Sequence, residues 1–232
     1  MNQAFFTLSI GMGSMTIFGS YLSKDHSLLG ESINIVALDT FVAIVSGLII
    51  FPSCFAFGVN PDQGPSLIFV TLPNIFIKMP GGRIIGSCFF IFMAFAAFST
   101  VIAVFENIMS SCMDLWGWGR KKTALINTIL IIIGSIPCVL GFNILSGFHP
   151  LGKGTNVMDL EDFLVSNLIL PIGSLIYTLF CTSKYGWSWD NYLKEVNTGN
   201  GLKVPGKIRF YCKWILPLVT LFIIVNGLIS VF

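Results

Sequence analysis

Two carboxylates stand inside stretches that are otherwise apolar: Asp39 in NIVALDTFVAIVSG and Glu106 in AAFSTVIAVFEN. An ionised carboxylate in hydrocarbon costs at least about 2.5 kcal/mol, so each needs a cation, a proton or a polar cavity. Asp39 is the first candidate ion ligand. Glu106 follows Ser99 by seven residues, which puts both on one helix face two turns apart. It can serve an ion or accept hydrogen bonds from neighbouring helices, and the packing reading is preferred. Ser99 and Thr100, just after Ala96 and Ala97, form a second polar cluster. Hydroxyl and carbonyl oxygens suit a hard cation such as sodium. Taken alone, such hydroxyls bond back to their own helix or pack against a neighbour.

A third feature is backbone chemistry. FFTLSIGMGS, residues 5–14, puts two hydroxyls and two glycines into an apolar run. Gly11 and Gly13 each weaken a helix by about 1 kcal/mol relative to alanine, and Thr7 and Ser9 compete for backbone groups. A helix break is expected there. In hydrocarbon a break is tolerated where the freed backbone lines a cavity or binds something, and interrupted mid-membrane helices hold substrate and sodium in this way. Close helix packing through small residues is the alternative.

The elements that carry these residues follow from composition. Of 232 residues 54% are hydrophobic and 10% charged, with 22 Phe, and the mean hydropathy is +0.84, far from the balance of a soluble domain. The fold class is an all-α polytopic membrane protein. A helix crosses a bilayer core with about 20 apolar residues. Six runs qualify: about Met1 to Leu22, Ile33 to Phe57, Ile84 to Met109, Ala124 to Phe142, Phe163 to Cys181 and Trp214 to Phe232. Residues 58–83 hold a shorter apolar run bracketed by proline and glycine, read as a re-entrant or surface helical hairpin. Residues 182–213 form a loop on the opposite side, and the whole of 1–232 reads as one transmembrane domain.

Basic residues set the orientation. The loops after spans one, three and five carry ten of the thirteen: Lys24; Arg120, Lys121 and Lys122; Lys184, Lys194, Lys203, Lys207, Arg209 and Lys213. That face is expected to be cytoplasmic, with both chain ends on the outer side of the cell's inner membrane. A chain whose first residues already lie in mid-membrane reads as the second half of something longer. No cleavable leader is expected, because no basic segment precedes the apolar run. Trp116, Trp118, Trp187 and Trp189 flank spans on the basic side, as interfacial anchors do. NYLKEVNTGNGLKVP suggests a short surface helix ending at glycine, and Pro171 with Gly173 a kink.

Several classes are excluded. A net charge of +2 without a basic run interleaved with aromatics does not make a nucleic-acid surface. Six scattered cysteines, with no CxxC spacing, read as small apolar residues. His26 and His149 fall in loops on opposite faces, no nucleophile sits near a base, and GVNPDQG and GKG lack the context of a phosphate loop. An enzyme is not expected, and no cofactor beyond sodium as a coupled substrate.

In order along the chain, QAFFTLSIGMGS, ALDTFVAIVSGLIIFP, GPSLIFVTLP, FAAFSTVIAVFE, DFLVSNLILPIG and KVPGKIRFYCKWILP resemble the sixth to eleventh transmembrane helices of a bacterial neurotransmitter:sodium symporter. The resemblance implies the second half of an inverted-repeat sodium-symporter fold, with the hairpin as its extracellular lid. It implies that Phe6 lies over the substrate, that Ser9, Met12 and Val104 face it, and that Thr7 contributes to the first sodium site. Ala96, Ser99 and Thr100 resemble the ligands of the second sodium, and Thr7 and Thr100 also adjoin the substrate. Asp162 resembles an acidic outer-gate residue whose arginine partner belongs to helix one. Asp39 stands where chloride-dependent members have a sodium-binding asparagine, and Ala43 where they have a chloride-binding serine; Gln3 resembles another residue near the chloride. A fixed carboxylate beside sodium supplies the charge that chloride otherwise brings. Met12, in place of a frequent Phe, gives an adaptable pocket wall.

The expected function is sodium-coupled, chloride-independent symport of an amino acid or related small amine across the plasma membrane. The alternatives are a truncated, non-transporting fragment, or a half-transporter needing a separate chain for helices one to five or working as a homo-oligomer. The partners are then the amino acid, sodium and the lipid bilayer, with no nucleic acid.

Overall fold

The computed structural model describes residues 2–56, 68–69, 72–152 and 155–229. Long apolar runs become helices because only a helix satisfies its own backbone in hydrocarbon. Among the described residues, five helical stretches are long and apolar enough to cross a membrane: Leu28–Ala56, Gly82–Trp116, Arg120–Gly141, Val157–Thr182 and Ile208–Ile229. These match the second to sixth predicted spans, but each begins before its apolar run. Gly82–Trp116 also runs on past its apolar run: 35 residues rise about 52 Å, well beyond a hydrocarbon core of about 30 Å. Its polar end simply continues the helix past the membrane.

The large side chains of these helices face outward. Phe92, Phe95 and Phe98 are 71%, 68% and 64% exposed, an inversion of the soluble pattern that a lipid solvent requires. The chain is a multi-pass membrane protein.

The first predicted span is interrupted as expected. Helix α1 (Asn2–Thr7) and helix α2 (Ser14–Tyr21) are separated by the turns of residues 8–13. Ser9, Gly11 and Gly13 take positive φ of 49°, 95° and 89°, a region open to glycine and strained for serine.

The remaining helices are α3 (Leu28–Ala56), α4 (Leu72–Lys78), α5 (Gly82–Trp116), α6 (Arg120–Gly141), α7 (Val157–Phe163), α8 (Leu170–Thr182), α9 (Trp189–Val196), α10 (Ile208–Phe210) and α11 (Leu216–Ile229). They divide into two compact units, Ile35–Val104 and Met1–Asn34 with Phe105–Phe232.

In the Ile35–Val104 unit, Cys54, Leu72 and Ile75 form a buried core flanked by Ile50, Phe76, Met79 and Phe89. The rings of Phe76 and Phe89 lie 5.5 Å apart. Helix α4 lies within the predicted hairpin; residues 57–67 and 70–71 lie outside the described residues.

In the other unit a π-helical turn precedes a proline twice. Leu164–Ile169 joins α7 to α8 ahead of Pro171, and Tyr211–Ile215 joins α10 to α11 ahead of Pro217. Proline lacks the N–H that the preceding turn's carbonyl needs, and a wider turn re-pairs the ladder around it. The predicted deformation near Pro171 is therefore a π turn upstream of it. Helix α7 starts with a capping box, Asn156 accepting from Asp159 N–H and Asp159 from Asn156 N–H.

Two loops of this unit clasp one another. Asn200 N–H donates to the Asp25 carbonyl at 3.1 Å, His26 and Asn200 form an isolated bridge, and Ser27 Oγ donates to the Leu202 carbonyl at 2.6 Å. A β-carbon at Gly199 would collide with the His26 carbonyl, so only glycine permits the approach. Asn197 secures the loop from within, donating to the Val204 carbonyl at 3.2 Å and accepting its N–H at 2.7 Å.

Helix α9 is the predicted surface helix, but it ends at Asn197 rather than at glycine. Trp189 also differs from its expected role. It is 4% exposed and lies 5.3 Å from the Tyr192 ring, so it anchors α9 to the protein, not to a lipid interface. Burial pushes the Tyr192 phenol above its ordinary pKa.

Candidate ion and substrate site

The site begins with the break. Phe6 and Thr7 are the last residues of α1, and Ser9 and Met12 lie between the half-helices. Ile10 N–H donates back to the Phe5 carbonyl at 3.0 Å and Ser9 N–H to the Phe6 carbonyl at 3.1 Å, so α1 ends in one wide and one tight turn. Helix α2 starts after Gly13, which supplies no side-chain cap. Its first amides therefore carry the positive end of the helix dipole toward the break.

Neighbouring helices hold this segment. Asn107 Nδ2 donates to the Met12 carbonyl at 2.9 Å, replacing a ladder bond that the turn removes. From α8, the Tyr177 hydroxyl comes within 2.9 Å of where a Gly13 β-carbon would stand. Gly11 packs directly on the α8 backbone: a β-carbon there would collide with the Leu170 carbonyl oxygen.

Below the break, Glu106 accepts the Tyr21 O–H at 3.0 Å and Arg120 Nη2 at 2.8 Å. These bonds tie the end of α2, the middle of α5 and the start of α6. Glu106, 20% exposed, is thus satisfied by neighbouring helices, in keeping with its packing role.

Ala96, Ser99 and Thr100 occupy one turn of α5. The Ala96 carbonyl accepts both hydroxyls, Ser99 Oγ at 2.8 Å and Thr100 Oγ1 at 3.2 Å. Both hydroxyls are thus bonded to their own helix, the arrangement such groups adopt when they stand alone. Val104 lies one turn further on. Asp39 is half-buried in the middle of α3, with Ala43 one turn on. Thr7 belongs to one compact unit and Asp39, Ala96, Ser99, Thr100 and Val104 to the other. Asp162, in the last turn of α7, accepts Ser166 Oγ at 3.0 Å. The side chain of Gln3 lies outside the described residues.

A cavity of about 320 Å³ adjoins the break, walled by Phe5, Ile10, Tyr211, Leu216, Val219 and Ile223 with the hydroxyl residues Ser174 and Thr220. None of the predicted substrate residues lines it.

Two positioning residues carry no role in the sequence reading. Asn107 was signalled by an amide inside an apolar run. Arg120 was visible only as a loop charge, because its partner stands 14 residues away on another helix.

Comparison with known proteins accords with this geometry. The family model described as the sodium:neurotransmitter symporter family matches residues 1–232. The chain is 33% identical over 237 aligned positions to YhdH, an uncharacterized sodium-dependent transporter of Bacillus subtilis, covering 99% of this chain and 51% of that protein. It is 29% identical to an uncharacterized sodium-dependent transporter of Haemophilus influenzae, covering 98% and 49%. Among solved structures, MhsT in complex with L-phenylalanine superposes with a TM-score of 0.86 at 37% identity, covering 98% of this chain and 51% of MhsT. The chain spans about half the length of these relatives. An interrupted apolar helix and a match along the whole chain lead to one conclusion: the chain belongs to the sodium:neurotransmitter symporter family.

Proposed function

We propose that this chain contributes the break-bearing half of a sodium-coupled symporter for an amino acid or related small amine, working in the cell's inner membrane with both chain ends on the outer side. The observation that carries the reading is the unwound segment at residues 8–13 in an otherwise apolar span, since irregular backbone at membrane depth needs a cavity or a ligand. Phe6, Thr7, Ser9, Met12, Thr100 and Val104 face the substrate. Thr7 and Asp39 serve one sodium; Ala96, Ser99 and Thr100 serve the other; Asp162 belongs to the outer gate. That MhsT was crystallised with L-phenylalanine supports an amino-acid substrate.

Transport follows from linkage. Sodium and substrate each favour the conformation they bind better, and each shifts the equilibrium only by its differential affinity. Entry of each sodium charge down the membrane potential adds about 2.3 kcal/mol per 100 mV. The Asp39 carboxylate makes the cycle chloride-independent.

Because the chain spans half of its relatives, the second reading is a half that transports only with a first half, or not at all. Sodium-gradient-driven uptake of labelled amino acids into proteoliposomes tests both. The 232-residue chain is compared with the same chain co-reconstituted with the first half of a relative such as YhdH. Uptake only in the second preparation supports a half-transporter; uptake by the chain alone supports an oligomer; no sodium-dependent uptake in either refutes the transport reading.

A further inference from the structure

We infer that the exposed basic surface of residues 183–213, between α8 and the α10–α11 helix, docks the headgroups of anionic phospholipids in the adjoining leaflet. The inference is independent of the transport reading, since it needs only a chain that spans a bilayer.

The segment holds Lys184, Lys194, Lys203, Lys207, Arg209 and Lys213 against two acidic residues, Asp190 and Glu195. All six basic side chains are exposed. Among the described residues none of them forms an ion pair; the two recorded pairs are His26–Glu31 and Arg120–Glu106. Six exposed cations against two carboxylates leave this surface net positive, which favours an anionic partner.

Position chooses the kind of anion. The segment leaves the membrane at Thr182, where α8 ends, and re-enters along the helix that starts at Ile208. Exposed apolar side chains alternate with the cations: Tyr185 is fully exposed, Phe210 is 67%, Leu202 58% and Trp214 57% exposed. Lys213 Nζ stands 5.6 Å from the Trp214 ring centroid. Rings at the headgroup level beside ammonium and guanidinium groups are the arrangement that an anionic interface rewards. A nucleic-acid backbone would leave Leu202 and Phe210 in water.

Helix α9 sets the geometry without entering the lipid. Its apolar residues Trp189 and Val196 are buried against the protein, and the clasp between residues 25–27 and 200–202 holds the loop that carries Lys203. The surface is therefore preformed, which limits the ordering cost of binding.

All five tryptophans, Trp116, Trp118, Trp187, Trp189 and Trp214, lie on the basic face by span order. Their fluorescence thus reports on that face alone. The chain is placed in mixed nanodiscs in which either the phosphatidylglycerol or the phosphatidylcholine is brominated, at equal mole fraction. Brominated phosphatidylglycerol is expected to quench about two- to fivefold more strongly. The preference should fall toward one in the Lys203→Gln, Lys207→Gln, Arg209→Gln variant, shrink between about 0.05 and 0.5 M salt, and rise in Glu195→Gln. The Glu195 variant changes the preference in the opposite direction, so a misfolded triple variant does not decide the matter. Equal quenching by the two lipids, or a preference unmoved by both variants, overturns the inference. So does loss of the preference to inorganic phosphate at matched ionic strength, which would mean a soluble-anion site.

Discussion

Gly11 and Gly173 meet backbone to backbone: a β-carbon on Gly173 would collide with the carbonyl oxygen of Gly11. The unwound segment is therefore seated against α8 with no side chain between them, and α8 sits just after the π turn at Leu164–Ile169. A broken helix with freed backbone groups needs such a support if its geometry is to be reproducible.

Gly173→Ala should accordingly destabilise the fold by about 1–3 kcal/mol through overpacking. Gly11→Ala adds a left-handed penalty of about 1–2 kcal/mol, given its φ of 95°. Thermal unfolding in detergent checks this; Gly19→Ala, where nothing lies within 4 Å of the added carbon, should be neutral or stabilising. Equal effects at all three positions would contradict the close approach.

Asn107→Leu removes the donor to the Met12 carbonyl. The expected loss is about 0.5–1.5 kcal/mol, concentrated in the segment it holds. Hydrogen exchange should accelerate at residues 8–13 while α11 stays unchanged. Uniform acceleration would point instead to a general packing defect.

The Glu106–Arg120 pair is half solvent-facing, with Arg120 66% exposed. A double-mutant cycle of Glu106→Gln and Arg120→Gln should give a coupling of only about 0.2–1 kcal/mol. A coupling well above that range would show that the pair is shielded from water in the membrane.

The clasp gives a sharper contrast. Ser27→Ala deletes the bond to the Leu202 carbonyl and is expected to cost about 1 kcal/mol, whereas Gly199→Val should separate the loops altogether. Paired cysteines at 27 and 202 would then cross-link readily in the parent and poorly in the Gly199 variant. Unchanged cross-linking would dismiss the steric argument.

Asp39→Asn tests the proposed charge substitution in a transport-competent form of the protein. Uptake by the parent should be indifferent to replacing chloride with gluconate, and the variant should lose about tenfold, or 1.4 kcal/mol, without chloride. Chloride-dependent uptake by the parent would end the argument from the carboxylate.

The amino-acid sequence by itself determined the class, the spans and the place of the break. Each is a local property: an apolar run of sufficient length becomes a helix in lipid, and Gly11 and Gly13 among hydroxyl residues weaken that helix wherever it packs. Tertiary structure alone decided how the break is held. That Gly11 rests on Gly173, that Asn107 reaches Met12, that Trp189 turns inward, and that Ser27 meets Leu202 are contacts between residues 95 to 175 positions apart, or with a surface that only folding creates. A π turn ahead of Pro171 belongs with them, because proline removes an amide but the surrounding packing chooses how the ladder recovers. Local free energies mark where regular structure ends, and long-range packing selects what the freed groups bind.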